Sequence, residues 1–154
     1  MQKNGMLLAL VEEYKRAAKD YIEILKYISD KEFLEIRDYK SKDPDCKSIQ
    51  TVTFHIVQSG YTYANYIQSI SNNNWLEYKS SMTTTKVAIN EIEKMLEYTK
   101  ISFHDNWYKS NKEIEKYSFE TRWGVTYDLE QLLEHAIVHV LRHRRQVENF
   151  LKKD

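Results

Sequence analysis

Glycine and proline are scarce in this chain: Gly5, Gly60, Gly124 and Pro44 are all it has in 154 residues. A β-rich or α/β domain of that length turns about every ten residues and consumes those two residue types in doing so. Their scarcity predicts an all-α domain with few connections. Cysteine is scarcer still. The lone Cys46 has no partner for an internal disulfide, and a single thiol fits a reducing cytosol. Surplus charge of one sign is also missing, since 23 basic residues balance 23 acidic ones. That balance disfavours a general duplex-DNA or polyanion binder, which neutralises phosphates with excess Lys and Arg. Long apolar runs are absent. Residues 6–11 are too few for a signal core, and no stretch approaches the roughly 20 apolar residues of a membrane span. The expectation is one cytoplasmic, membrane-free helical domain over residues 1–154.

What is present is helical periodicity. Leu7, Leu10, Val11, Tyr14, Ala17, Ala18, Tyr21, Ile22, Leu25 and Ile28 recur in steps of three and four, which marks an amphipathic helix. Ser29-Asp30 offers a cap for a short turn of helix at 31–36, and 38–47 reads as a loop long enough to be a crossing connection. Ser48 caps a second long helix running to about Ser71 through Val52, Ile56, Tyr63, Tyr66, Ile67 and Ile70. Ser71-Asn72-Asn73-Asn74 stops it by competing for backbone hydrogen bonds. A third helix begins near Thr83-Thr84-Thr85 and carries Val87, Ile92, Met95 and Leu96 to Phe103. Residues 105–124 read as polar and irregular. The fourth helix opens at Asp128, with Gln131 completing a capping box, and runs through Leu132, Ala136, Val140 and Val147 to Leu151. Four long helices in one small domain predict a four-helix bundle.

The histidines carry the chemical signal. His135, His139 and His143 lie on the fourth helix at intervals of four, His55 lies midway along the second, and His104 ends the third. At roughly 100° per residue with His139 at zero, the apolar positions of the fourth helix cover about 20° to 120°. His143 then falls inside that arc at about 40°, His139 at its rim, and His135 outside at about −40°. Imidazoles at i and i+4 converge on one ion. His55 stands at the edge of its own helix's apolar arc, and Gly60 leaves the backbone beyond it uncrowded, so it can approach the pair. Three neutral imidazoles would leave a tetrahedral ion one open position, the arrangement of a catalytic metal. Taken singly, a helical histidine is more often a surface or hydrogen-bonded core residue. His104 and His135 keep that reading, His135 as a rim residue. His135-Ala-Ile-Val-His139 has the spacing of HExxH with Ala136 at the glutamate position, so it is not that protease motif.

The stretch from Leu133 to Gln146, with His139, His143 and Gln146 in place, resembles the fourth-helix signature of the DinB/YfiT-like superfamily of DNA-damage-inducible metalloprotein bundles. Phe54-His55-Ile56-Val57 is similar to the lone-histidine segment of that superfamily's second helix, and Trp123-Gly124-Val125 before the last helix also resembles it. The resemblance implies an all-α four-helix bundle with a long crossover between helices 2 and 3. It implies a divalent metal, zinc or nickel, on His55, His139 and His143, and a homodimer. The chain departs from the pattern at Arg145, where glycine is common; the angular estimate puts it away from the ligands.

Two classes of function follow. As an enzyme, three neutral histidines would leave the ion its full charge, lowering the pKa of a low-molecular-weight thiol or of water. The result would be a thiol S-transferase or a small-molecule hydrolase, with the catalytic acid or base unidentified. Arg142 could meet a substrate carboxylate, although a solvated arginine is the simpler reading. As a non-enzyme, the bundle would bind a metal or small ligand in a stress response. Nucleic-acid binding through Arg142, Arg144, Arg145, Lys152 and Lys153 is disfavoured by the neutral chain.

Overall fold

In the computed structural model, which describes residues 1–152, every long helix starts at a side-chain cap. Helix α1 (Gly5–Lys26) begins where the Asn4 side chain accepts from the Leu7 amide. Ser29 and Glu32 form a capping box on the short α2 (Asp30–Leu34). Ser48 with Thr51 caps α3 (Ile49–Gln68), Thr84 caps α4 (Thr85–Ser102), and Asp128 with Gln131 caps α6 (Leu129–Leu151). Each cap satisfies amides that the helix leaves unbonded, an effect of typically ~1 kcal/mol.

The apolar stripes of α1, α3, α4 and α6 meet in one bundle core containing Leu7, Tyr14, Tyr21, Ile56, Ile67, Ile92, Met95, Leu132 and Val140. Helix α1 packs along α4 and α6, and α3 packs along the same two helices, so α1 and α3 stand diagonally opposite. Inter-helix contacts fix the directions. Gln50 reaches the Met82 carbonyl just before α4, Tyr61 stacks on Tyr98, and Gln68 meets His104. Helices α3 and α4 are therefore parallel. His55 faces His143 and Tyr63 faces His135, so α3 and α6 are antiparallel. Tyr14 meets Met95 and Asp30 meets Thr85, so α1 opposes α4. Two adjacent parallel helices require a connection that returns the whole length of the bundle, and residues 69–84 make it. This is the crossover between the second and third long helices. Residues 27–48 make the crossing from α1 to its diagonal partner. Among the described residues no helix is long and apolar enough to cross a membrane.

Residues 105–124 differ from the irregular reading. They contain a 3-10 turn (His104–Tyr108), the short α5 (Asn111–Ile114) and β1 (Ser118–Glu120), which pairs antiparallel with β2 (Thr126–Asp128). The aromatic residues explain the order. Trp107 is 7% exposed, packs on Phe103 and donates to the Lys100 carbonyl, and Phe119 is buried against Tyr66. The hairpin turn is closed at both ends: the Thr121 hydroxyl donates to the Val125 carbonyl at 2.6 Å and accepts from the Val125 amide at 3.1 Å. Gly124 supplies the φ of 82° that this turn needs. The short helix predicted over 31–36 ends at Leu34, because Ile36 leaves it to bridge Ser48.

Gly60 also acts differently from its predicted role. A Cβ there would overlap Met95 Sδ and lie 2.6 Å from Met95 Cγ and 2.8 Å from the Tyr14 hydroxyl. It lets α3 sit close to α4 and α1, on the side away from His139. The approach of His55 to α6 owes nothing to it.

Candidate metal centre

His55 on α3 and His139 and His143 on α6 form the one group of three or more potential ligand residues whose donor atoms converge among the described residues. One ring nitrogen from each lies within 4.8 Å of the others. His55 Nε2 and His139 Nε2 are 3.0 Å apart, and the His139 and His143 rings are 4.5 Å apart between centroids. With metal–nitrogen bonds of 2.0–2.1 Å, two ligating nitrogens are about 2.9 Å apart in octahedral and about 3.3 Å apart in tetrahedral geometry. The His55–His139 spacing lies between these values.

The surroundings fix the rings. His143 is 5% exposed, and its Nδ1 donates to Gln146 Oε1 at 2.8 Å, since an amide oxygen can only accept. That assigns the lone pair of the neutral ring to Nε2. His55 Nδ1 lies 3.3 Å from the Asp45 carboxylate, which turns its Nε2 toward His139. Asp45 comes from the 3-10 turn Pro44–Cys46 in the crossing segment. Histidine ligands are commonly oriented by a carboxylate or carbonyl on the far ring nitrogen, and two of the three rings have one. His139 Nδ1 is buried without a hydrogen-bond partner.

Burial and neighbouring charges favour the unprotonated form of two of the rings. His139 is pushed down to about 3, first by burial and then by the neighbouring His143 and His55. Burial also lowers His143, partly opposed by the hydrogen bond to Gln146. Ring nitrogens crowded this closely, two of them on imidazoles held unprotonated, fit a divalent cation, because a cation requires its histidine ligands deprotonated. The cluster can therefore coordinate a divalent metal.

A cavity of about 500 Å³ opens beside the cluster, with His55 and His139 in its wall. Gln58, Ser59, Thr62 and Tyr63 of α3 line one side, and His135, Trp123 and Arg122 another. His135 is the rim residue expected: its ring stacks on Trp123 at 5.4 Å, and its Nδ1 meets the Tyr127 hydroxyl at 3.1 Å. His104 lies elsewhere and is satisfied by Gln68 Oε1 at 3.0 Å. Arg142 and Arg145 are exposed, and neither borders the cavity. Arg144 is engaged by Asp20 and Glu148, while Lys153 lies outside the described residues.

Two residues of the site escaped the sequence reading. Asp45 and Arg122 sit in connections, where no periodicity signals a direction. Trp123 was singled out by resemblance alone. For Arg122 and Trp123 the one further signal was their place beside Gly124, which marks a tight turn.

The sequence model of the DinB family matches residues 1–153. No curated protein matches the chain.

Proposed function

We propose that this chain, which belongs to the DinB family, is a divalent-metal-dependent enzyme with His55, His139 and His143 as its metal ligands. The observation that carries this reading is the convergence of three ring nitrogens within 4.8 Å beside a cavity of about 500 Å³. A structural metal site is closed by four protein ligands, whereas a three-ligand site beside open space leaves a position for a reactant. Zinc and nickel both accept imidazole.

The ion would supply Lewis acidity, favouring the deprotonated form of a thiol or water that reaches it. The chain's residues do the rest. Asp45 and Gln146 hold the far nitrogens of His55 and His143, so that the rings keep one orientation. His135, Trp123 and Tyr63 form an aromatic wall that screens the cluster from bulk water and sets which face of a small molecule can approach. The hydroxyls of Ser59 and Thr62 offer hydrogen bonds along the α3 side. Transfer of a low-molecular-weight thiol onto an electrophile fits best, because the lining shows no carboxylate free to serve as a base: Asp45 is committed to His55.

The test is elemental analysis of untagged protein, followed by a small-thiol conjugation assay with a model electrophile. One divalent ion per chain and turnover that disappears with a chelator are expected. Full metal retention in His139→Ala would refute the ligand set.

A further inference from the structure

Arg122 is the only basic residue lining the cavity beside the histidines, apart from the histidines themselves. Among the described residues no carboxylate lies within ion-pair distance of it. Its guanidinium donates from Nη2 to Thr62 Oγ1 at 3.3 Å, and it lies 5.8 Å from the Trp75 ring. A guanidinium carries five N–H donors, and because Arg122 is exposed the others are open to solvent or a ligand. Arg122 also borders a recess of about 40 Å³ that contains Glu77, but Glu77 is paired with Lys79 at 3.1 Å.

The residue is held in place by its backbone. The Arg122 amide donates to the Tyr66 hydroxyl at 2.8 Å, which ties the hairpin turn to α3. The Thr121–Val125 bonds and the positive φ of Gly124 close the same turn. Trp123 follows directly and lays its indole against His135. One rigid turn thus presents a fork of donors and a flat aromatic surface side by side. Rigidity of this kind lowers the ordering cost of binding.

We infer that the cavity takes a small organic monocarboxylate with a planar, apolar body, its carboxylate on Arg122 and its body along Trp123. A carboxylate matches the guanidinium fork in a bidentate geometry. A single cation in this wall suits a single negative charge; a phosphate dianion is usually met by several donors from a helix N-terminus or from clustered cations, and none lines this cavity. This assignment rests on the metal reading only in one respect: it places the far end of the same molecule toward the histidines. Arg122 is thereby a specificity-determining residue, remote in sequence from the ligands.

The experiment is isothermal titration of the zinc-loaded full chain with benzoate, benzamide and inorganic phosphate, repeated on Arg122→Gln and Arg122→Lys. Benzoate is expected to bind and benzamide to bind at least tenfold more weakly. Arg122→Gln should lose at least tenfold in benzoate affinity with its zinc content and melting temperature unchanged, and Arg122→Lys should fall between. Equal benzoate binding by Arg122→Gln would overturn the inference, since the carboxylate would then sit elsewhere, for instance on the metal. Tighter binding of phosphate than of benzoate would overturn it as well. The two readings fail separately. A chain that takes no zinc but binds benzoate through Arg122 sinks the metal reading and leaves this one standing; unchanged zinc with arginine-independent benzoate binding does the reverse.

Discussion

Gln146→Leu isolates the orientation of one imidazole from its identity as a ligand. The substitution keeps similar volume and removes the hydrogen-bond acceptor for His143 Nδ1, at 2.8 Å. His143 is buried, so the lost bond leaves a polar ring nitrogen unsatisfied, a cost of about 1–3 kcal/mol. For a chain of this length that corresponds to a fall in melting temperature of about 2–4 °C per kcal/mol in the metal-free protein. The second effect falls on the metal. A histidine freed from its outer partner loses its fixed tautomer and some basicity, which typically lowers metal affinity by about 10–100-fold. Competition against a chelator of known affinity measures this directly, alongside thermal melts with and without zinc. Gln146→Glu restores an acceptor at the same place and should recover most of the affinity, because a carboxylate makes the ring more electron-rich. Zinc affinity within a factor of two of the parent in Gln146→Leu would refute the argument that this bond poises His143. A failure of Gln146→Glu to rescue would show that the loss came from packing.

Other perturbations test other links. Asp45→Asn should weaken zinc binding by about tenfold through His55, with little change in metal-free stability, because Asp45 is only half-buried; chelator competition checks the first and a thermal melt the second. Gly60→Ala gains up to about 1 kcal/mol of helix propensity but forces Met95 and Tyr14 apart, an overpacking cost of about 1–3 kcal/mol. A net loss in a urea melt is expected, and a stabilised variant would show that Met95 moves freely. Tyr14 and Tyr21 are buried, and burial raises both well above the ordinary tyrosine range. The unfolded chain releases these protons first, near pH 10, so stability is intact below that pH and falls above it by up to ~1.4 kcal/mol per pH unit for each tyrosine. Tyr14→Phe should flatten that alkaline slope in denaturant melts between pH 9 and 11.

The helices and the histidine trio were legible because both are written in one period. His143 at about 40° in the apolar arc is 5% exposed in the bundle, and His139, placed at the rim, is half-buried. The caps at Ser48 and Asp128 were readable from side-chain chemistry within four residues. The hairpin at 118–128 was not, because its strands are three residues each and its order comes from aromatic packing against α3, a contact between distant segments. Gly60 shows the limit in another way. A small residue on a helix announces a close approach without saying to what, and here it is Met95 and Tyr14. Arg142 drew attention because it adjoins His143, yet adjacent helical residues point about 100° apart. The cation that lines the cavity is Arg122.

That division has a physical consequence for the site. The three histidines stand on α3 and α6, whose antiparallel contact is part of the bundle core, so moving either helix costs buried apolar surface and the three nitrogens cannot drift apart cheaply. What borders the cavity on the open side comes from connections: Asp45 from the crossing segment, Arg122 and Trp123 from the hairpin turn. Phe33 of the crossing segment and Phe119 of the hairpin join the core, but Asp45, Arg122 and Trp123 stand outside it. Arg122 and Trp123 can therefore change with little effect on the helices or on the three histidines, and the charge and shape of the cavity change with them. In this chain the choice is one guanidinium and one indole on a turn tied to Tyr66. Transplanting a different side chain at 122 should alter which small molecule binds while zinc stoichiometry stays at one, and a variant at 122 that lost its metal would show that turn and cluster are mechanically coupled.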